Sequence, residues 1–358
     1  MAHALRLAEC GLYTTQPNPR VGCVIAHGER VVGTGYHARA GEPHAEVFAL
    51  REAGAAAGGA TAYVTLEPCA HFGRTPPCAD ALVAAGVARV VIAAEDPFPQ
   101  VAGQGIARLR AAGIAVETGL LREAARELNI GFFSRIERGR PWVRVKLAMS
   151  LDGRTALANG ESKWISGEAA RADVQRWRAR SSAILTGSGT VLADDPRLTV
   201  RPPDGRENPA AAGPRPLRVI LDRRLRTPAG SRVLDADAPT LLMHAAEAAI
   251  PAHLLAVERV ALPVAGGHLD LDAALAELAR RQVSELHVEA GPTLCGALFA
   301  QGLADELLLY VAPVLLGDAA RPLLHLPTLT DMAQRWRLNP VEQRAVGSDW
   351  RLRLRPSR

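Results

Sequence analysis

Residues 43–78 read PHAEVFALREAGAAAGGATAYVTLEPCAHFGRTPPC. The pattern predicts a helix over Pro43–Ala53 and a short buried strand over Thr61–Leu66. A helix followed by a strand is typical of layered α/β domains, in which helices cover a sheet. The same stretch contains two histidines, two cysteines and a glutamate close to the start of the helix, so it carries candidate chemistry as well as the fold.

Similar patterns continue on both sides of this stretch and predict one α/β domain over residues 1–140. The further strands are expected at Val21–Ala26, Arg30–Gly35, Arg89–Ala94 and Ala115–Glu117. The further helices are expected at Pro77–Ala85, Ile106–Ala112 and Leu120–Asn129. Charged residues together with Gly and Pro mark Ser134–Pro141, which we interpret as an interdomain linker.

A second strand–helix series begins after Pro141 and predicts a separate α/β domain over residues 141–358. Its strands are expected at Val143–Ala148, Ala183–Thr186, Leu217–Leu221, Thr240–His244, Arg259–Leu262, Leu286–Glu289 and Leu307–Val311. Its helices are expected at Glu168–Arg180 and Asp272–Gln282, and Arg201–Pro216 is predicted to be a surface loop. The two series differ in sequence, so we infer a fusion of two unlike domains.

The composition is that of an ordinary globular protein, since 48% of the 358 residues are hydrophobic and 22% are charged. No apolar run reaches the roughly 20 residues that a membrane-spanning helix needs. The first eleven residues lack the pattern of a signal peptide, so we expect a cytoplasmic protein without membrane contact. The net charge of +5 comes without a dense basic stripe, which argues against nucleic acid as a partner.

His44, Cys69 and Cys78 form the strongest chemical signal. One imidazole and two thiolates suit Zn²⁺ and leave a fourth position for water, as catalytic zinc requires. Glu46 is then spare and is able to hold that water and move its proton, as in zinc-dependent deaminases. Two other interpretations stay open from the residues alone: a closed structural zinc site with His71 as the fourth ligand, and no metal at all.

A proline precedes each of the three candidate ligands, at positions 43, 68 and 77. Proline is favoured at the first position of a helix. We therefore expect each ligand to lie at a helix start, where the helix dipole stabilises a thiolate. Cys10 and Cys23 lie in apolar patterns and are interpreted as core residues.

The cysteine spacing and three further motifs carry a family resemblance. The pattern resembles the cytidine-deaminase superfamily, whose common form has two residues between the cysteines; here there are eight. Together with Pro17–Val24, Gly35–His37 and Gly41–Glu46, this spacing resembles the N-terminal domain of the bifunctional riboflavin-biosynthesis deaminase/reductases. The resemblance implies a cytidine-deaminase-like α/β/α layered fold.

By this resemblance, zinc is the cofactor, His44, Cys69 and Cys78 are its ligands, and Glu46 is the catalytic acid–base residue. The implied substrate is 2,5-diamino-6-ribosylamino-4(3H)-pyrimidinone 5′-phosphate, which loses its 2-amino group as ammonia. Asn18 has an amide that both donates and accepts, so it is a candidate for binding the pyrimidine edge. The alternative for Asn18 is an ordinary turn residue between two prolines.

The second domain lacks a Gly-x-Gly-x-x-Gly motif after a strand, which argues against a Rossmann fold. Four other motifs are informative: Lys146–Arg154, Gly160–Ser166, Leu185–Pro196 and Val288–Leu294. They contain small or hydroxyl-rich turns whose backbone N–H groups can hold phosphates, as can a helix expected near Pro292. From the residues alone, this indicates an α/β domain with an anion site.

These motifs are similar to the C-terminal reductase of the same family, over most of residues 142–316. The resemblance implies a dihydrofolate-reductase-like α/β fold and NADPH-dependent reduction of the ribosyl side chain of 5-amino-6-(5-phosphoribosylamino)uracil to ribityl. The implied NADP contacts are Ala148, Trp164, Thr190, Asp194, Gly291, Pro292, Thr293, Leu294, Cys295, Gly296 and Ala297. The implied substrate contacts are Ser162, Arg178, Leu198, Arg201 and Glu289.

Three basic residues are further candidates. Lys146 is a candidate catalytic proton donor or carbonyl polariser, and its alternative is a strand residue that extends its amine to solvent. Arg223 and Arg224, just after a predicted strand, are candidate contacts for the 2′-phosphate of NADPH. Their alternative is an ordinary solvated turn.

The leading interpretation is one enzyme, expected to be a homo-oligomer, that performs consecutive deamination and reduction on small pyrimidine ribosylamino phosphates. One alternative is a deaminase of another nucleotide or of a nucleic-acid base, with an accessory or inactive C-terminal domain. The cysteine spacing and the missing basic stripe argue against it. Another alternative is a non-catalytic zinc-bearing scaffold, against which the spare Glu46 argues.

Overall fold

The computed structural model describes residues 1–70, 77–99, 101–201 and 213–357. Across these residues the chain forms two compact units. The first consists of Met1–Gly139 with a short piece near Gly213, and the second begins at Arg140 and contains the rest of the chain.

The first unit is built on a five-stranded sheet with the order β2-β1-β3-β4-β5. Its strands are β1 (Gly22–His27), β2 (Arg30–Tyr36), β3 (Thr61–Leu66), β4 (Arg89–Ala94) and β5 (Ala115–Thr118). Its helices are α1 (Ala2–Glu9), α2 (Ala45–Ala53), α3 (Cys78–Ala84), α4 (Gln104–Ala111), α5 (Arg122–Leu128) and α6 (Ile130–Arg138). β1 pairs antiparallel with β2 and β3, and β3, β4 and β5 run parallel.

Two glycines let α2 lie directly on β2. A Cβ atom at Gly33 would stand 2.1 Å from the Ala49 carbonyl oxygen, and one at Gly35 would stand 2.2 Å from that of Ala45. Only a residue without a side chain fits such an approach. The close packing fixes the start of α2, and therefore His44 and Glu46, over the sheet.

The predicted strands and helices of this unit are confirmed to within about two residues, but the predicted linker is wrong. Helix α6 covers most of Ser134–Pro141 and ends at Gly139, which has φ of 67°. Phe133 and Ser134 are buried, so this helix packs one face against the unit. The charged residues that suggested a linker belong to the other face of an amphipathic helix.

The second unit is built on a nine-stranded sheet with the order β11-β10-β9-β8-β14-β6-β15-β18-β17. Its strands are β6 (Trp142–Ser150), β8 (Ala183–Gly187), β9 (Leu217–Leu221), β10 (Thr240–Ala245), β11 (Glu258–Leu262), β14 (Glu285–Val288), β15 (Glu306–Ala312), β17 (Leu338–Val346) and β18 (Asp349–Pro356). The short strands β7 (Arg154–Ala156), β12 (Val264–Ala265), β13 (His268–Leu269) and β16 (Arg321–Pro322) form two small ribbons. Its helices are α7 (Glu168–Arg180), α8 (Ser188–Asp194), α9 (Leu271–Arg280) and α10 (Pro292–Ala300).

The seven strands from β11 to β15 in this sheet are parallel, and the hairpin β17–β18 joins them antiparallel. This hairpin and α8 were not predicted. The sequence of β18 contains the alternation Arg351, Leu352, Arg353, Leu354, which is the period-two pattern of a strand. It was not recognised because the alternate residues are arginines and because the partner strand β17 is mostly exposed. Arg201–Pro216 lies mostly outside the described residues.

The two faces of β6 have different environments. Val143, Val145 and Leu147 point into the main apolar core of the unit. Arg144 points to the other face, where it is fully buried, forms ion pairs with Glu285 and Glu306 at 3.0 and 2.7 Å, and lies beneath α7. Because side chains alternate along a strand, Lys146 follows Arg144 on this polar face.

Candidate active sites

The first site brings together the three predicted metal ligands. The ligand atoms of His44, Cys69 and Cys78 all lie within 4.8 Å of one another. His44 Nδ1 lies 3.3 Å from Cys78 Sγ and 3.7 Å from Cys69 Sγ. This spacing suits three ligands around one ion, so the donor set and the geometry both fit tetrahedral zinc with an open position. His71, the fourth ligand of the alternative closed zinc site, lies outside the described residues.

The three ligands reach this cluster from different local structures. His44 is the residue before the first turn of α2, and Cys78 is the first residue of α3. Cys69 does not lie at a helix start: it follows β3 in an irregular segment. The prediction of three helix starts is therefore wrong for Cys69, because Pro68 continues an extended segment instead of beginning a helix.

The thiols of Cys69 and Cys78 have pKa values shifted in opposite directions. Hydrogen bonding from the Cys78 thiol, and then the proximity of His44, lowers the pKa of Cys69 to about 4. The Cys78 main-chain N–H also donates to Cys69 Sγ at 3.4 Å. The bond to Cys69, together with burial, raises the pKa of Cys78. Cys69 is thus the first of the two to become a thiolate, which is the form that binds metal.

Glu46 lies beside these ligands and is 3% exposed. Burial raises its pKa to about 7, although the charge of His44 opposes this. Its Oε2 atom is buried and has no hydrogen-bond partner among the described residues. An unpaired buried carboxylate oxygen is costly and needs an explanation, and a ligand or water in this site would supply the missing partner.

Asn18 contacts the metal-site region through His37. The Asn18 side-chain amide lies 3.2 Å from His37 Nε2, and His37 Nδ1 lies 3.2 Å from the Pro43 carbonyl oxygen. The His37 ring packs edge-on against His44, with ring centroids 5.4 Å apart. Burial lowers the pKa of His37, which favours the neutral ring. The sequence analysis included His37 in a motif, but it did not predict that His37 would link Asn18 to the segment before His44.

The second unit contains a cleft of about 2140 Å³ at the carboxyl ends of its central strands. Nearly all the residues predicted for the reductase site line it: Lys146, Ala148, Ser162, Trp164, Arg178, Thr190, Asp194, Leu198, Arg201, Glu289, Gly291, Pro292, Thr293, Leu294 and Ala297. Cys295 and Gly296 do not line it. Cys295 is fully buried in the core, and a Cβ atom at Gly296 would stand 2.0 Å from the His325 carbonyl oxygen.

Arg178 and Glu289 form a two-bond ion pair in this cleft. Arg178 Nε and Nη2 donate to the two carboxylate oxygens at 2.6 and 2.9 Å, and Nη1 donates to the Thr199 carbonyl oxygen at 2.9 Å. Burial opposes ionisation of Glu289, but the Arg178 charge holds its pKa well below the usual range. The positive charge of Arg178 is therefore balanced by Glu289, whereas the sequence analysis considered Arg178 as a contact for the substrate.

Lys146 lies half-buried on β6 and within the electrostatic reach of this pair. Burial lowers its pKa, Arg178 lowers it further, and Glu289 opposes both. A lysine with a lowered pKa gives up its proton more easily than a solvated one. Lys146 is also one of the residues that line the cleft.

Three of the other predicted residues have clear surroundings. Trp164 is 69% exposed at the cleft, with the Arg171 guanidinium 4.7 Å from its ring centroid. The Leu198 side chain is buried in a small core cluster with Ile184, so only its main chain is available to a ligand. Arg201 is exposed, and its main-chain N–H donates to Gln175 at 2.9 Å.

Five arginines that line the same cleft were not predicted from the sequence: Arg171, Arg197, Arg226, Arg232 and Arg321. Arg226 joins the predicted Arg223 and Arg224 after β9, and its guanidinium lies 3.3 Å from the Ser188 hydroxyl at the start of α8. Arg321 lies on β16, in the part of the chain beyond residue 317 where no motif was found. The cluster at 223–226 was partly visible in the sequence, whereas Arg321 had no local signal.

Comparison with known proteins decides the family. Residues 1–94 match the family described as the cytidine and deoxycytidylate deaminase zinc-binding region, and residues 141–352 match the RibD C-terminal domain. The chain is 51% identical to the riboflavin biosynthesis protein RibD of Escherichia coli K12, over 99% of this chain and 98% of that protein. The chain belongs to the RibD family. It is also 48% identical to RibD of Haemophilus influenzae, over 99% of this chain and 96% of that one.

Solved structures of the RibD family have the same fold. Acinetobacter baumannii RibD, form 2, superposes with a TM-score of 0.90 at 46% identity, and 99% of this chain and 97% of that chain are covered. A Thermotoga maritima diaminohydroxyphosphoribosylaminopyrimidine deaminase/5-amino-6-(5-phosphoribosylamino)uracil reductase superposes with a TM-score of 0.87 at 33% identity, covering 100% and 97% of the two chains. The predicted α/β fold class is confirmed.

The chain is thus a bifunctional deaminase and reductase of riboflavin biosynthesis, with a deaminase region of the zinc-binding type followed by a RibD reductase domain. The predicted family and the predicted pair of activities are confirmed. Within the described ranges, no helix combines the length and the apolar character needed to cross a membrane.

Proposed function

We propose that the first unit uses one zinc ion, held by His44, Cys69 and Cys78, to deaminate 2,5-diamino-6-ribosylamino-4(3H)-pyrimidinone 5′-phosphate. The match to a zinc-binding deaminase region and the 4.8 Å cluster of one nitrogen and two sulfur ligands support this proposal. The activity named for the Thermotoga maritima relative supports the substrate. Bound zinc would make water nucleophilic at neutral pH.

Glu46 is the residue that moves the proton in this proposal. Its unpaired Oε2 atom accepts a proton from the attacking water and delivers it to the departing amino group, which leaves as ammonia. As a buried carboxyl beside the proposed zinc ligands, Glu46 is placed for both transfers. The buried, unpaired Oε2 beside the ligand cluster is the observation that carries the proposal. Asn18 is proposed to bind the pyrimidine through its amide.

An ammonia-release assay of the full chain tests this function. The diaminopyrimidine phosphate should be turned over, whereas cytidine, deoxycytidylate and single-stranded DNA should not. Addition of NADPH should then convert the deaminated product to the ribityl compound, with one NADPH oxidised for each product formed. Ammonia release from the other substrates but not from the diaminopyrimidine would contradict the proposal.

We further propose that the cleft of the second unit binds NADPH and 5-amino-6-(5-phosphoribosylamino)uracil. NADPH would supply the hydride, and Lys146, whose pKa is lowered by burial, would supply the proton. The main-chain N–H groups at the start of α10 are suited to the cofactor phosphates. Ala148, Trp164, Thr190 and Asp194 are proposed as further cofactor contacts, and Ser162, Arg178, Leu198, Arg201 and Glu289 as substrate contacts.

The arginines after β9 should determine the preference for NADPH over NADH. In a variant with Arg223, Arg224 and Arg226 changed to alanine, we expect the KM for NADPH to rise by at least about 10- to 100-fold, since the loss of even one charge-assisted hydrogen bond costs roughly 1.5–3 kcal/mol. The KM for NADH should change little, because NADH lacks the 2′-phosphate. Arg344→Ala, at an exposed position on β17, is the control. An equal effect on both cofactors would remove this assignment.

Cys78→Ser should lower the zinc content of the purified protein to below about half and destabilise the first unit, because zinc binding is coupled to folding. Cys10→Ser, at an exposed cysteine outside the cluster, should keep the wild-type zinc content. Metal analysis and thermal unfolding measure both effects. Full zinc occupancy in Cys78→Ser would reject this ligand.

The homo-oligomeric state and the cytoplasmic location expected from the sequence stay predictions. Sedimentation equilibrium of the purified chain tests the first, and cell fractionation tests the second.

A further inference from the structure

Glu67 lies two residues before the candidate ligand Cys69 and is almost completely buried. Its carboxylate accepts four main-chain hydrogen bonds, three from the start of α4 and one from Asp96 in the loop after β4. Oε1 accepts from Gly105 at 3.0 Å and Ile106 at 3.2 Å, and Oε2 accepts from Gly103 at 3.0 Å and Asp96 at 3.3 Å. Both carboxylate oxygens are therefore committed to main-chain donors.

These bonds cap α4 from outside the helix. The first N–H groups of a helix have no partners within it, and a carboxylate there is also favoured by the helix dipole. The residue before α4 is Gly103, which has no side chain to act as a cap. Glu67 replaces the local cap and thereby ties α4 to the segment that leads to Cys69.

Two further contacts join α4 to this segment. A Cβ atom at Gly105 would stand 2.0 Å from the Pro68 carbonyl oxygen, so the helix start lies directly against Pro68. Arg108 donates to the Ala70 carbonyl oxygen at 3.1 Å and forms an ion pair with Asp80 on α3. The residues on both sides of Cys69 are thus held by one helix.

We propose that Glu67 is a positioning residue for the metal centre: by capping α4 it fixes segment 67–70, and so holds Cys69 Sγ against His44 and Cys78. This inference rests on the proposed zinc ligands. Helix α4 lies beyond residue 94, where the match to the deaminase zinc-binding region ends. The metal centre therefore depends on an element outside that region.

Glu67→Gln tests the proposal with little change in size. Glutamine has one acceptor oxygen, so about half of the four N–H groups lose their partner and face an NH₂ group. We expect the zinc affinity to fall by up to about 10- to 100-fold, the range found when supporting contacts of metal ligands are removed, and zinc to be lost to a chelator correspondingly faster. In the cobalt-substituted protein, the thiolate-to-cobalt absorption band should weaken or shift. Reductase turnover should stay at the wild-type value.

Two controls separate positioning from general stability. Glu117→Gln removes the same charge from the exposed ion pair with Arg89 and should leave zinc release unchanged. Ile25→Ala opens a cavity in the core of the same unit on β1, which pairs with β2 and β3 and is separated from α4 and segment 67–70 in the chain. At an equal loss of thermal stability, it should release zinc more slowly than Glu67→Gln.

Each outcome is decisive. Wild-type zinc release and an unchanged cobalt band in Glu67→Gln would overturn the proposal, as would equally fast release from Ile25→Ala. If Glu67→Gln does not fold, Arg108→Gln, at a half-exposed residue, gives the second test and should accelerate zinc release a few-fold; no acceleration would overturn the proposal. A wild-type protein that binds no zinc would instead refute the proposed deaminase chemistry.

Discussion

Glu46→Gln should lower the deaminase kcat by about 10³-fold or more, since proton transfer by a positioned side chain contributes roughly 10²–10⁴-fold. Glutamine has nearly the same shape but cannot take a proton from water. Zinc content should stay at the wild-type value, because Glu46 is not one of the three clustered ligands. Reductase turnover of the already deaminated aminouracil should also be unchanged.

Metal analysis and the ammonia assay on the same sample measure this result. Glu52→Gln, on the same helix, is a suitable control: its carboxylate is exposed and accepts from the Thr34 main-chain N–H at 2.7 Å. It should keep deaminase activity. Loss of zinc together with activity in Glu46→Gln would make Glu46 a structural residue of the site, and near-normal turnover would reject it as the proton carrier.

The fold could be predicted well where a local pattern and its environment agree. Thr61–Leu66, Arg89–Ala94 and Glu168–Arg180 have the predicted bounds, because each places apolar residues on the face that becomes buried. Ser134–Pro141 was misread because three of its charged residues, at positions 135, 137 and 138, lie on the less buried side of a helix whose buried side is carried by Phe133. The burial of that side depends on tertiary packing, which no local pattern contains.

The metal cluster could be predicted from residue types alone, since one His and two Cys form a known ligand set of open zinc sites and Glu46 lies nearby in the sequence. The contacts that hold this cluster in place could not be predicted from the sequence. Glu67 reaches Gly105 across 38 residues, and such a contact has no local sequence period. The same is true of the pair between Arg178 and Glu289, which are 111 residues apart in the chain.

Breaking the ion pair between Arg178 and Glu289 is expected to have the second large effect on activity. Glu289→Gln should reduce reductase kcat/KM by about 100-fold or more and destabilise the second unit by about 3–5 kcal/mol, since breaking a buried ion pair leaves an uncompensated charge. In this protein the charge left behind would be the Arg178 guanidinium, which lines the cleft beside Lys146. The proton on Lys146 would also lose the negative charge that favours it, so its pKa should fall further.

Glu306→Gln is the matched control for this variant. Glu306 is fully buried at the start of β15, in the sheet whose strand β14 ends just before Glu289, and it pairs with Arg144 and Arg353, but it is not among the residues that line the cleft. It should destabilise the second unit comparably while leaving the KM values for NADPH and the aminouracil nearly unchanged. Steady-state kinetics corrected for the folded fraction distinguish the two variants. Normal kinetics per folded molecule in Glu289→Gln would reject Glu289 as a substrate contact. Its pairing with Arg178 would then serve the stability of the second unit, as the pairing of Glu306 does.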